Sequence, residues 1–306
     1  MTRPGKLALP LLDGVAASAL HCPPGPWTSV IDFLAERLPR VERVDWLARM
    51  ERGEVLSEEG QALAPNAPYR ANQRLYYYRL LAAEPVIPFE ESIVFQDDLL
   101  LIADKPHFLP VTPKGRYVQQ TLLTRLVKRT GIATLSPIHR IDRETAGLVA
   151  FAIRPETRDA YQALFRDRAV AKAYEAIAPW RPDLQLPMLY RSRLEEREDA
   201  FMQMHQVPGE PNAETHISVI EHDAQVARYL LAPLSGRKHQ LRAQMSALGL
   251  PILGDRIYPT LLPEETTPDY RAPLQLLART LAFTDPITGS RRHFESSQRL
   301  VFPTSD

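Results

Sequence analysis

From residue 91 onward the chain is cut into short apolar or alternating segments separated by turns, and this constrains the fold most. Residues 92–96 and 99–103 flank Asp97-Asp98, which reads as a hairpin turn. Residues 147–153 are an apolar strand, and 170–178, 215–221 and 226–231 alternate in strand fashion. Residues 274–283 are a further strand, followed by a turn over 285–289. Helical patterns are confined to residues 155–166, with Tyr161, Leu164 and Phe165 near one face, and 239–248, closed by Gly249. Consecutive strands with short turns and few long helices imply an α+β domain on a mostly antiparallel mixed sheet. Twenty-eight prolines against 13 glycines fit this picture, since they punctuate many loops rather than one tract.

The first 90 residues read differently. Residues 1–27 are an irregular arm, with Pro23, Pro24 and Pro26 resisting helix. Thr28 or Ser29 can cap a helix through Leu38, with Val30, Phe33, Leu34 and Leu38 on one stripe. A second helix over 41–52 stops at Gly53, and strands are expected at 54–57 and 74–80. Residues 28–83 are therefore a small α/β module, and 84–90 a linker. The order of elements loosely resembles the RNA-binding fold of ribosomal protein S four. Residues 91–303 form the second, larger domain.

Basic and acidic side chains number 37 each, which removes the argument from a strongly basic chain. Charge is nonetheless segregated. Residues 84–104 hold six acids and no base; 114–143 hold seven bases and only Asp142 as acid; 225–245 hold four bases and no acid. Two distant segments can thus build one basic face. The single cysteine, Cys22, excludes an internal disulfide framework and argues against a thiolate zinc site. No run of 18 apolar residues occurs, and Pro10 and Asp13 interrupt the early apolar stretch. A cytoplasmic protein with no membrane association is expected.

Phosphate loops, dinucleotide turns, zinc helices and the Gly-x-Ser-x-Gly elbow are absent from the sequence. The chemically dense segment is His139-Arg140-Ile141-Asp142-Arg143-Glu144-Thr145-Ala146-Gly147-Leu148, which runs into an apolar strand. Nearby positive charge favours the ionised form of a carboxylate, and such a group can act as a nucleophile. An ion-pairing aspartate in a turn would read the same way from spacing alone.

This segment resembles the His-Arg-Leu-Asp-x-x-Thr-Ser-Gly-Leu signature of the RluA-type RNA pseudouridine synthases. Asp104-Lys105-Pro106 through Val111-x-Pro113 is similar to that family's opening motif. Residues 235–242, Ser-Gly-Arg-Lys-His-Gln-Leu-Arg, followed by Gly249-x-Pro251-Ile252-x-Gly254-Asp255-x-x-Tyr258, resemble its third motif. The ending Leu281-x-Phe283-x-Asp285-Pro286-x-Thr288-Gly289 also fits. The resemblance covers about residues 90–300, in the right order. Departures are Phe108 in place of a glycine, Thr112 of a histidine and Ala146 of a serine. Ala243-Gln244 replace valine-histidine, and Leu277 stands where a histidine is common.

The resemblance implies that residues 91–303 are a catalytic domain isomerising uridine in RNA to pseudouridine, without cofactor or metal. Asp142 matches the catalytic aspartate, Arg242 the arginine that pairs with it, and Tyr174 the active-site tyrosine that stacks on the uracil. Arg140 matches the arginine that fills the space left by a flipped base. His139, Lys105, Arg143, Arg237 and Lys238 complete the expected substrate-binding set, with the bases of 114–129 along the phosphate path. The expected partner is a stem-loop of ribosomal or transfer RNA, bound by a monomer needing no obligatory protein partner. Two other classes would use the same residues differently. One is a catalytically silent RNA-binding or assembly protein; the other is a small-molecule glycosidase, which usually needs a second carboxylate.

Overall fold

The computed structural model describes residues 7, 9–79, 83–196, 202–263 and 269–302. The chain divides into two compact units, Met1–Glu84 and Pro85–Asp306.

In the first unit, β1 (Ser18–His21) precedes α1 (Val30–Arg37), α2 (Arg43–Glu51), β2 (Val55–Leu56) and β3 (Arg74–Tyr77). The Ser29 hydroxyl accepts the Asp32 N–H at 3.2 Å, capping α1. Val30, Phe33 and Leu34 then face Trp46, Met50 and Leu75 in one apolar cluster. The arm expected to be irregular contributes a strand: β1 pairs with β3, giving the antiparallel order β1-β3-β2. The reason is local, because the prolines at 23, 24 and 26 follow β1 instead of interrupting it.

The second unit begins with β4 (Ser92–Gln96) and β5 (Leu100–Lys105). Asp97 makes their turn by accepting the N–H groups of Leu99 and Leu100. There follow α3 (Leu122–Thr130), β6 (Ser136–Pro137), β7 (Ala146–Ala152), α4 (Arg158–Arg166), β8 (Ala171–Pro179), β9 (Met188–Glu196) and β10 (Met204–Val207). The chain ends through β11 (Ala213–His222), β12 (Val226–Pro233), α5 (Gln240–Ala247), β13 (Leu276–Thr284) and β14 (Arg291–Glu295). Eleven strands form one sheet along the path β10-β9-β11-β12-β8-β13-β7-β5-β4, with β14 beside β13 and β6 beside β7. Among the described strands only β13 and β7 run parallel, so the sheet is mixed but mostly antiparallel, an α+β architecture. No helix among the described residues is long and apolar enough to cross a membrane.

Two apolar clusters flank the middle of this sheet. One gathers β5, β7 and β13 through Ile102, Leu148 and Leu281 around Tyr161 of α4. The other packs Leu241 and Met245 of α5 on β8 and β12. The loop between β6 and β7 emerges where the two meet. Gly147 permits that junction: at φ +110° a Cβ would lie 2.3 Å from the Ala278 carbonyl oxygen of β13.

α3 is a departure from expectation. Arg125 and Arg129, expected along a phosphate path, are turned toward the chain itself. Arg125 donates to the carbonyls of Phe89 and Ile87 at 2.6 and 2.8 Å, and Arg129 to that of Glu91 at 3.2 Å. Three carbonyls presented by residues 87–91 need donors, and the two guanidiniums supply them.

Candidate active site

The loop carrying Asp142 is braced from beneath. Lys105, at the end of β5, has no exposed surface, and its Nζ donates to the carbonyls of Pro106 and Arg143 at 2.9 and 3.1 Å. Burial pushes this amine down to about 7, against the attraction of Glu144 and Asp142. His139 Nε2 accepts the Ala150 N–H of β7 at 3.1 Å, and its ring stacks on Phe165 of α4 at 4.4 Å. Burial, then the charge of Lys172, pushes this imidazole down to about 3. Lys105, expected to touch substrate, faces inward instead. His139, placed in the same set, was expected more to support the loop than to contact substrate. Both act as struts, because loop carbonyls and a strand N–H need buried partners there.

The far wall comes from α5 and the segment after it. Arg242 is only 1% exposed, and its planar fork makes three charge-assisted bonds. Nε and Nη2 donate to the two oxygens of Asp255 at 2.8 and 2.6 Å, and Nη1 donates to Asp142 Oδ2 at 3.1 Å. Burial alone would lower the guanidinium, but Asp255 and Asp142 outweigh it and hold it charged, above its ordinary value. Asp255 also accepts the N–H groups of Ile257 and Tyr258, so its carboxylate is anchored independently. Gly254 allows this turn: at φ +75° a Cβ would sit 2.3 Å from the Pro273 carbonyl oxygen. Asp255 stands in the third motif, but an aspartate after glycine reads as a turn residue, and the motif does not name Arg242 as its partner.

Asp142 itself is partly open, with 28% of its side chain exposed. Oδ2 is held by Arg242, while Oδ1 receives no hydrogen bond from the described residues. His239 Nε2 lies 3.8 Å from that second oxygen. Glu144 is near: burial would raise its carboxyl, but Arg143 and Arg242 prevail and hold it below its ordinary range. Tyr174 is half-buried on β8, within reach of the Asp142 charge. Burial, then the nearby Asp142 charge, pushes its phenol above its ordinary value, so the hydroxyl stays protonated.

The outer cations differ from one another. Arg140 is exposed at the mouth of the loop. Arg143 is tied down, its Nε donating to Glu144 at 2.7 Å and its guanidinium lying over the Tyr117 ring. Arg237 and Lys238 are exposed before α5; Arg237 donates to the Asn212 carbonyl and Lys238 pairs with Glu196 at 2.7 Å. Exposed pairs of this kind are weak and can exchange for phosphate. Of the nine residues singled out from the sequence, Asp142, Arg242 and Tyr174 converge. Arg140, Arg237 and Lys238 are exposed, Arg143 is held by Glu144, and Lys105 and His139 brace the loop. A half-open carboxylate, a buried counter-cation and a protonated aromatic wall suit attack on an electrophilic sugar carbon beside a flat base.

Comparison with known proteins bears on the family. A family model described as RNA pseudouridylate synthase matches residues 99–247. The dual-specificity RNA pseudouridine synthase RluA of Escherichia coli is 31% identical over 215 residues, spanning 67% of this chain and 91% of that protein. An uncharacterised RNA pseudouridine synthase of Synechocystis is 28% identical over 234 residues, spanning 75% and 79%. Among solved structures, human RNA pseudouridylate synthase domain containing 4 superposes with TM-score 0.52 at 26% identity. That match covers 68% of this chain and 88% of the human chain.

Proposed function

The chain belongs to the RluA-type RNA pseudouridine synthases, and on that premise we propose that Asp142 is the group that opens the glycosidic bond. The enzyme isomerises uridine in RNA to pseudouridine. A stacked uridine must first be flipped out, at a cost of about a few kcal/mol. Arg140, exposed beside the loop, stacks in the vacated space through its planar guanidinium. Tyr174 receives the uracil face.

Asp142 Oδ1 then meets the sugar. In one route it adds to C1′ as the N1–C1′ bond breaks, and the bonding pair leaves with the uracil. In the other it takes the C2′ proton and a glycal forms as the same bond breaks. In both, C5 of the turned base then bonds to C1′, as the Asp142–C1′ bond breaks in the first route and as Asp142 returns the proton to C2′ in the second; the C5 proton is lost to solvent and N1 takes one up. Both routes need a carboxylate oxygen with a lone pair open to the sugar and a fixed carboxylate plane, and Arg242 on Oδ2 supplies the second. Tyr174, holding its proton, serves as a stacking wall and a donor to the departing base. Arg237 and Lys238 meet RNA phosphate, so binding weakens with salt. The target is a stem-loop of ribosomal or transfer RNA, whose unpaired bases are open to flipping.

The observation that carries this reading is the half-open Asp142 with one oxygen held by a buried arginine. The test is tritium release from C5-labelled uridine in stem-loop transcripts by the purified chain. Asp142→Asn is expected to abolish release while RNA binding stays within about tenfold. Pseudouridine formation by that variant would overturn the assignment.

A further inference from the structure

We propose that His239 is a positioning residue for Asp142, a neutral imidazole whose Nε2–H is aimed at Oδ1 and whose tautomer is set by Tyr258. The proposal rests on the reading of Asp142 as the group that opens the glycosidic bond.

His239 sits at φ +50° at the N-terminus of α5, one of few non-glycine residues in the left-handed region. Such a conformation is costly and persists where the surroundings over-determine it, often at functional sites. Here the ring lies with Nε2 3.8 Å from Asp142 Oδ1. This oxygen is the one Arg242 leaves free. Contacts of this length in unliganded sites tighten when substrate closes them.

The other ring nitrogen is 3.4 Å from the Tyr258 hydroxyl. That hydroxyl already accepts the Met204 N–H at 2.5 Å. Burial pushes Tyr258 up to about 12, so it keeps a proton to give. Donation from Tyr258 to Nδ1 makes Nδ1 the acceptor and leaves the ring proton on Nε2, facing the carboxylate. The groups facing this ring are Asp142, Glu144, Arg242, Lys238 and Tyr258. Burial, helped by Arg242 and Lys238, outweighs Asp142 and pushes the imidazole below its ordinary value, so it is neutral at pH 7. A neutral donor orients a carboxylate oxygen without neutralising it. The same Tyr258 ring lies under the Arg242 guanidinium, so one tyrosine supports both groups that hold Asp142.

The test uses three variants of the full chain, read by single-turnover kinetics on the stem-loop transcript. In His239→Asn the backbone conformation is well tolerated but no donor reaches Oδ1. Its kcat is expected to fall about tenfold to a hundredfold with KM within about threefold. In His239→Gln the amide nitrogen takes the place of Nε2 despite greater backbone strain, and kcat is expected within about fivefold of the parent. Tyr258→Phe lets the ring proton move from Nε2 to Nδ1; turnover falls at pH 8 and recovers toward acid, where a second ring proton restores the Nε2 donor. Full activity in His239→Asn, or equal losses in both His239 variants, would overturn the proposal while the Asp142 reading stands. Activity in Asp142→Asn, run alongside, would overturn the reading itself.

Discussion

Replacing Arg242 by lysine keeps the charge and removes the planar fork. The guanidinium makes three bonds, at 2.8 and 2.6 Å to Asp255 and 3.1 Å to Asp142, across two carboxylates. A single ammonium cannot span both. With charge-assisted bonds at about 1.5–3 kcal/mol each, losing two costs about 3–6 kcal/mol. The two carboxylates divide that loss. Asp255 has no exposed side-chain surface and is the costlier to abandon, so the lysine pairs there and Asp142 is released. We expect urea unfolding to report a loss of about 2–4 kcal/mol. We expect single-turnover tritium release to fall at least about a hundredfold, since each factor of ten is about 1.4 kcal/mol of barrier. Stability within about 0.5 kcal/mol of the parent and turnover within about threefold would refute the claim that the fork, rather than the charge, organises the site.

Tyr174→Phe keeps the stacking ring and loses the protonated hydroxyl, so turnover should fall about tenfold or more with RNA affinity nearly unchanged; equal turnover would confine the residue to stacking. His139 predicts acid sensitivity. Its imidazole titrates near 3 when folded against an ordinary value of 6.5. Between those values the unfolded chain binds a proton that the folded chain does not. Stability present above pH 6.5 is therefore lost as pH falls, by at most about 1.4 kcal/mol per pH unit. His139→Gln should flatten that slope in urea titrations between pH 7 and 5, and an unchanged slope would remove His139 as its source. Deleting residues 1–84 should leave the second unit folded by circular dichroism but weaken RNA binding in gel shift. Unchanged affinity would free the first unit of any RNA role.

Some elements were legible because local chemistry decides them. Ser29 caps α1 and Asp97 makes the first hairpin of the large sheet, each with its own side chain. Asp142, Tyr174 and Arg242 were legible through ordered motifs, and long-range packing brought them together. β9 and β14 were not. Their sequences, Met-Leu-Tyr-Arg-Ser-Arg-Leu-Glu-Glu and Arg-Arg-His-Phe-Glu, carry charge on an exposed face and obtain their identity from neighbouring strands. α3 left signals that were passed over, a Thr121 cap and a left-handed Gly131, because its basic residues drew attention as a surface. The inward turn of Lys105 was illegible for another reason. A motif names a residue type, but only the packing around β5 and β7 decides which way it faces. Asp255 belongs to the same class, since its partner is on a different element.

Base-resolved pseudouridine mapping on total RNA, from cells with and without the gene, tests most directly whether this chain makes pseudouridine in RNA through Asp142. Sites should vanish in the deletion strain, return with the intact gene and stay absent with an Asp142→Asn copy expressed to the same level. Restoration of those sites by the Asp142→Asn copy would contradict the claim.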